Sequence, residues 1–173
     1  MNKKTLLFVV IAILSSVIGV YVGMHRLAPT VPANPAVATL MQSRLPDAGG
    51  QLHQLSDWKG KILLVNFWAP WCPPCVEEMP ELAALQNEMA AKNLQIVGIG
   101  IDSPSNIKQF AEKHQVSYPL LVAGMQGTEL SREMGNQAGG LPFTVLLDPT
   151  GQVRKTYLGR LNIAQLRSDL AEL

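Results

Sequence analysis

Lys61–Trp68 reads KILLVNFW, and residues 69–91 continue APWCPPCVEEMPELAALQNEMAA. The first segment is a continuous apolar run with β-branched and aromatic residues, the pattern of a strand buried on both faces. The second predicts a helix from about Pro73 to Ala91, with apolar Met79, Leu82, Leu85 and Met89 at helical spacing. Between them sits Cys-x-x-Cys. A buried strand running straight into a helix through such a pair is the unit from which the rest of the chain is read.

Downstream, Leu94–Ile101 reads as a second buried strand and Ile107–His114 as a helix opened by Ser103-Pro104-Ser105. A strand at Tyr118–Val122 and a short helix at Thr128–Met134 follow. Phe143–Leu147 and Gln152–Leu158 flank the turn Asp148-Pro149-Thr150-Gly151, and Asn162–Glu172 closes the chain as an amphipathic helix. Upstream, Thr39–Arg44 and Gln51–Leu55 are expected to form a hairpin across Pro46–Gly50, followed by a one-turn helix or loop at Ser56–Gly60. Alternating strands and helices demand parallel pairing with crossovers, and the closing tight turn demands an antiparallel pair. The expected fold is therefore α/β, a mixed central sheet with helices on both faces.

The N-terminus has a different composition. Thr5–Met24, TLLFVVIAILSSVIGVYVGM, carries no charge over twenty residues and is preceded by Lys3 and Lys4. Such a run is long enough to cross a bilayer, and the lysines favour a cytoplasmic N-terminus. A cleaved signal peptide is the competing reading, but its apolar segment is usually about 7–15 residues. Residues 1–26 are thus expected to be a single transmembrane anchor. Residues 27–38, with Pro29, Pro32 and Pro35, are expected to be a stiff extended linker, and 39–173 one domain. The formal net charge of +1 gives no basic excess for nucleic acid.

Cys72 and Cys75 are the chain's two cysteines, so none is left to staple the fold. Three readings compete for them. A structural disulfide closing so short a loop gains little unfolded-state entropy. A metal site needs further ligands, and His25, His53 and His114 lack ligand spacing, so no metal is expected; copper handling survives because two thiolates suit Cu(I). A catalytic dithiol fits best. At a helix N-terminus Cys72 is placed to form the attacking thiolate, and Cys75, one turn in, to resolve the mixed disulfide. Pro73 and Pro74 stiffen the loop and remove two backbone donors, which leaves Cys75 as the local donor and argues against a strong oxidant.

The stretch Val65–Pro80 resembles the TlpA/ResA branch of membrane-tethered thioredoxin-like proteins, which typically shows N-F-W-A-x-W-C-x-P-C-x-x-E-x-P. Gly140-Leu141-Pro142-Phe143-Thr144 resembles the superfamily's cis-proline loop, and Pro80 its kink proline. The resemblance implies a thioredoxin-like fold over about residues 39–173 and a Cys72–Cys75 redox centre that needs no added cofactor. It further implies an extracytoplasmic domain on a bacterial cytoplasmic (inner) membrane that reduces client protein cysteines. Apocytochrome c is the commonest such client, and electrons come through a membrane thiol carrier. An oxidase or isomerase of the same fold remains the alternative. Pro142 is expected in cis beside the sulfurs, although a strand-start proline is also an ordinary edge feature. Trp71 is expected to pack as a lid over the sulfurs, Trp68 to lie in the core and Trp58 to pack.

Where cytosolic thioredoxins carry an acidic residue under the active site, this chain has Asn66, which takes no proton. Glu78, on the helix face of Cys75, is the candidate proton acceptor, unless it is simply a solvated helix residue; Glu77 should face solvent. Cys72→Ser should abolish disulfide exchange, measured as insulin reduction. Cys75→Ser should accumulate covalent client adducts on a non-reducing gel. Activity retained in the first variant, or no adducts with the second, would overturn the assigned order of the sulfurs.

Overall fold

A computed structural model describes residues 34–114 and 116–173, together with Ile13, Ser15, Ser16 and Gly19, which are helical. Most of the expected membrane anchor and most of the expected linker lie outside the described residues. Among the described residues no helix is long and apolar enough to cross a membrane. The folded unit runs from Asn34 to Leu173.

It opens with helix α1, Pro35–Gln42. This corrects two expectations, the extended linker through Ala38 and the strand from Thr39. Pro35 supplies a preset φ in the first turn, and the Asn34 side chain accepts from the Ala36 N–H at 3.0 Å, so the prolines end where a capped helix begins. Val37 and Leu40 are buried, which gives the helix a tertiary reason to form. The strand expected there is reduced to β1, Arg44–Pro46, paired antiparallel with β2, Leu52–Gln54. A 3₁₀ turn follows at Leu55–Trp58.

The central sheet contains β3 (Ile62–Trp68), β4 (Leu94–Gly100), β5 (Leu120–Val122), β6 (Phe143–Leu147) and β7 (Val153–Leu158). Their spatial order is β5-β4-β3-β6-β7, with β3, β4 and β5 parallel and β6 and β7 antiparallel to their neighbours. Helices α2 (Pro73–Met89), α3 (Pro104–His114), α4 (Met125–Glu133) and α5 (Ile163–Ala171) complete the unit. The expected mixed sheet and its element order are present. Helix α4 begins earlier than expected, at Met125, and takes in Gly127. A Cβ there would lie 2.9 Å from Ile101 and 3.0 Å from Ala123, so the glycine permits close helix–sheet approach.

Every residue of β3 is buried. Its side chains alternate between two apolar layers. Ile62, Leu64 and Trp68 join the layer that holds α2, α5, Cys72 and Cys75, whereas Leu63, Val65 and Phe67 join the layer that holds α1 and α4. Asn66 belongs by this alternation to the first layer, beside the cysteines. At the β5 edge of the sheet, Asp47, in the β1–β2 turn, bridges to Leu121.

Gly98 lies opposite Asn66 in β4, and a Cβ there would come 2.7 Å from Leu120 and 3.1 Å from the Trp68 indole nitrogen. Gly98→Ala should therefore destabilise the domain by about 1–3 kcal/mol through overpacking, measured by urea denaturation.

Candidate functional site

Strand β3 ends at Trp68, whose carbonyl accepts from the Ile101 N–H at 2.8 Å. The chain then turns through Ala69–Trp71 and enters α2 with Cys72 as its N-cap and Pro73 and Pro74 in the first turn. Proline is suited to that position because its missing N–H has no partner in a first turn anyway. Cys72 and Cys75 form a disulfide with an S–S length of 2.06 Å. Cys75 has no exposed surface and Cys72 has 5 %. The expected order, with Cys72 nearer solvent, holds; the expected open exposure of Cys72 does not in this oxidised state, because the bond ties its sulfur to a fully buried one.

The Cys75 N–H, expected to serve the Cys72 sulfur, donates instead to the Cys72 carbonyl at 3.1 Å, and Val76 N–H donates to the same oxygen at 3.2 Å. These are the helix's own first bonds. A two-proline first turn followed by two committed amides leaves the Cys72 sulfur with no backbone donor from these four positions.

One turn beyond Cys75, Glu78 is fully buried. That settles its alternative readings against a solvated helix residue. Its Oε1 accepts from Asn66 Nδ2 at 2.7 Å, and its Oε2 accepts from the Leu161 N–H at 2.9 Å. The same Asn66 amide nitrogen donates to Thr144 Oγ1 at 3.0 Å. Burial pushes the Glu78 carboxyl above the usual carboxylate range, while the Leu161 and Asn66 hydrogen bonds and the Arg160 charge pull it back. Asn66 takes no proton, as expected, and serves as a hydrogen-bond donor instead. It titrates nothing, yet it holds the carboxylate that does. Glu77 is exposed as expected and pairs with Arg160 at 3.1 Å.

The Leu141–Pro142 peptide is cis. Pro142 is buried, and β6 pairs on both sides, so the edge-strand reading fails. Two residues on, Thr144 reaches the Asn66–Glu78 pair, which brings this loop and the cysteine helix onto one polar cluster. Trp71 is 66 % exposed, which corrects its reading as a packed residue. Trp68 is fully buried against Phe110, ring centroids 4.6 Å apart, and Trp58 stacks on His53. Pro73 is exposed and Pro74 half-buried. Sequence reasoning missed Leu161 and Arg160, and it named Thr144 only within the cis-proline motif. Leu161 lies 83 residues from Glu78 and contributes only a backbone N–H, so no side-chain pattern could announce it. Among the described residues no cluster of His, Cys, Asp and Glu has the makings of a metal site.

The arrangement supports two-step thiol–disulfide exchange. Glu78 stands one helical turn from Cys75, and the second step, in which Cys75 attacks the mixed disulfide, needs a proton acceptor. The second step should accelerate as pH rises through the raised Glu78 pKa, since only the carboxylate accepts a proton. Glu78→Gln should remove that rise and slow the second step at neutral pH by about 10²–10⁴-fold. Glu77→Gln should change neither step. Stopped-flow exchange with a model disulfide across pH checks both.

The sequence matches the Redoxin family over residues 29–171. It is 29 % identical over 130 residues to the thiol-disulfide oxidoreductase ResA of Geobacillus thermodenitrificans, covering 75 % of this chain and 72 % of that one. The thioredoxin-like protein YneN of Bacillus subtilis is 30 % identical, with 73 % of each chain covered. A thiol:disulfide interchange protein of the thioredoxin family from Chlorobium tepidum superposes with a TM-score of 0.67 at 25 % identity, over 75 % of this chain and 91 % of that one. With the cysteine pair, its helix and the cis-proline loop in one thioredoxin-like framework, the chain belongs to the Redoxin family and is a ResA-type thiol–disulfide oxidoreductase that works through its own cysteines without a cofactor.

Proposed function

We propose that this chain is a disulfide reductase tethered to a bacterial cytoplasmic membrane, with its domain on the extracytoplasmic side. Its redox centre is Cys72-Pro73-Pro74-Cys75. The observation that carries the direction of flow is the shortage of donors at Cys72. A strong oxidant of this kind is one whose reduced form is stabilised. Here Pro73 and Pro74 have no N–H, and the Cys75 and Val76 amides are spent on the Cys72 carbonyl. A thiolate given so little support favours the disulfide, and hence a low potential.

The reduced form passes two electrons to its client. The Cys72 thiolate attacks a client disulfide, whose S–S bond breaks as the mixed disulfide forms and one client thiolate leaves. Cys75 then gives its proton to Glu78 and attacks the Cys72 sulfur. The Cys72–Cys75 bond forms and the second client thiolate departs. Clients are proteins with disulfides, apocytochrome c made ready for haem attachment being the kind that the resemblance favours. A membrane thiol carrier restores the dithiol. The uncharged run Thr5–Met24 with Lys3 and Lys4 before it supports the tether and its orientation.

Equilibration with dithiothreitol should give a potential nearer about −270 mV than about −120 mV, the values of a reducing and an oxidising member of the fold. A value at the upper end makes the chain an oxidase. Tight Cu(I) binding without insulin reduction makes it a copper-handling protein. A C-terminal alkaline phosphatase fusion should be active, and inactivity refutes the orientation.

A further inference from the structure

Three buried polar atoms in the layer beneath the disulfide have no hydrogen-bond partner within the protein: Asn66 Oδ1, Trp68 Nε1 and the Tyr118 hydroxyl. Asn66 and Trp68 have no exposed surface and Tyr118 has 4 %. Unsatisfied groups of this kind are rare in native interiors, and three in one layer ask for a common cause.

The backbone draws them together. Asn66 lies opposite Gly98 in the β3–β4 ladder, and the Trp68 indole nitrogen lies 3.1 Å from the point a Gly98 Cβ would take. Gly98 lies opposite Leu120 in the β4–β5 ladder and donates its N–H to Pro119, next to Tyr118. Tyr118, Trp68, Cys72 and Cys75 share one apolar layer. The Glu78 charge reaches the Tyr118 hydroxyl, which burial and that charge together keep protonated throughout the neutral range.

We propose that Tyr118, Trp68 and Asn66 form a site for one internal water molecule that hydrogen-bonds Glu78. The donors and acceptors match. A water accepts two hydrogen bonds and donates two. The Trp68 N–H and the Tyr118 O–H supply two donors; Asn66 Oδ1 and the Glu78 carboxylate supply two acceptors. This rests on the reading of Glu78 as the proton acceptor of the resolving step and adds the group that sets how readily it accepts. With Tyr118 and Trp68 polarising it, the water donates to the carboxylate and favours its charged form against burial. The other groups that face Glu78 are the Asn66 amide, the Leu161 N–H, and the charges of Arg160 and Glu81. Tyr118 is then a positioning residue, acting through the water on Glu78.

Tyr118→Phe keeps the ring and deletes one donor. In stopped-flow exchange it should move the rise of the second step to higher pH and slow that step by about three- to tenfold on the acid side, with the first attack by Cys72 unchanged. Added to Glu78→Gln, it should have no further effect. The thermal midpoint of Tyr118→Phe should not rise, because a hydroxyl that binds water is satisfied. If Glu78→Gln removes the pH rise while Tyr118→Phe leaves it in place, the water site is overturned and the Glu78 reading stands. If Glu78→Gln leaves the rise in place, both fall. A higher midpoint for Tyr118→Phe also overturns the water site, since it reveals an unsatisfied hydroxyl.

Discussion

A carboxylate taken fully out of solvent is tolerated only where its oxygens are hydrogen-bonded, and the arrangement of this domain around Glu78 follows from that constraint. The residue stands on α2, one turn past Cys75. Its two oxygens are met by a side chain from the central strand β3 and by a main-chain amide just before α5, 83 residues downstream. Thr144 of β6 ties in through the same Asn66 amide. Four separate elements thus converge on one group that bears a charge when ionised. Displacing any of them leaves a buried charge poorly paired, so the site and the fold hold each other in place.

The same constraint explains how a buried thiol is kept usable. Cys75 is sealed from solvent, and burial opposes the thiolate it must become. In the proposed mechanism Glu78, one helical turn away with its proton affinity raised, offsets this. An exposed carboxylate of ordinary strength would hold the proton less tightly and would leave Cys75 harder to ionise. Glu77, exposed and paired with Arg160, shows the contrast within one helix: neighbours in sequence, about 100° apart in direction, with opposite environments.

Much of this was legible in the residues because the signals were local. KILLVNFW announces a two-sided buried strand, and Cys-x-x-Cys at a strand-to-helix junction announces the chemistry. Helical spacing placed Glu78 on the cysteine face. What was not legible depended on distance or on geometry. Asn66 was read for what it lacks, a titrating proton, and its hydrogen-bonding role required knowing that β3 presents it to α2. Trp71 was read as packed over the sulfurs, yet the turn before α2 leaves it in solvent. The helix at Pro35–Gln42 was hidden by its proline, which the spacing of Pro29, Pro32 and Pro35 made look like one more segment of linker.

The two borders of the sheet are finished differently. On the β5 side, Asp47 pairs with Leu121 and occupies part of the border. On the β7 side, Arg154, Lys155 and Thr156 stand exposed in succession along the outermost strand. Charge on an outermost strand discourages another chain from adding itself to the ladder. For an oxidoreductase that must meet other polypeptide chains, this has a particular value. An added strand gains little along the β7 border, which limits the ways in which a second chain can extend the sheet.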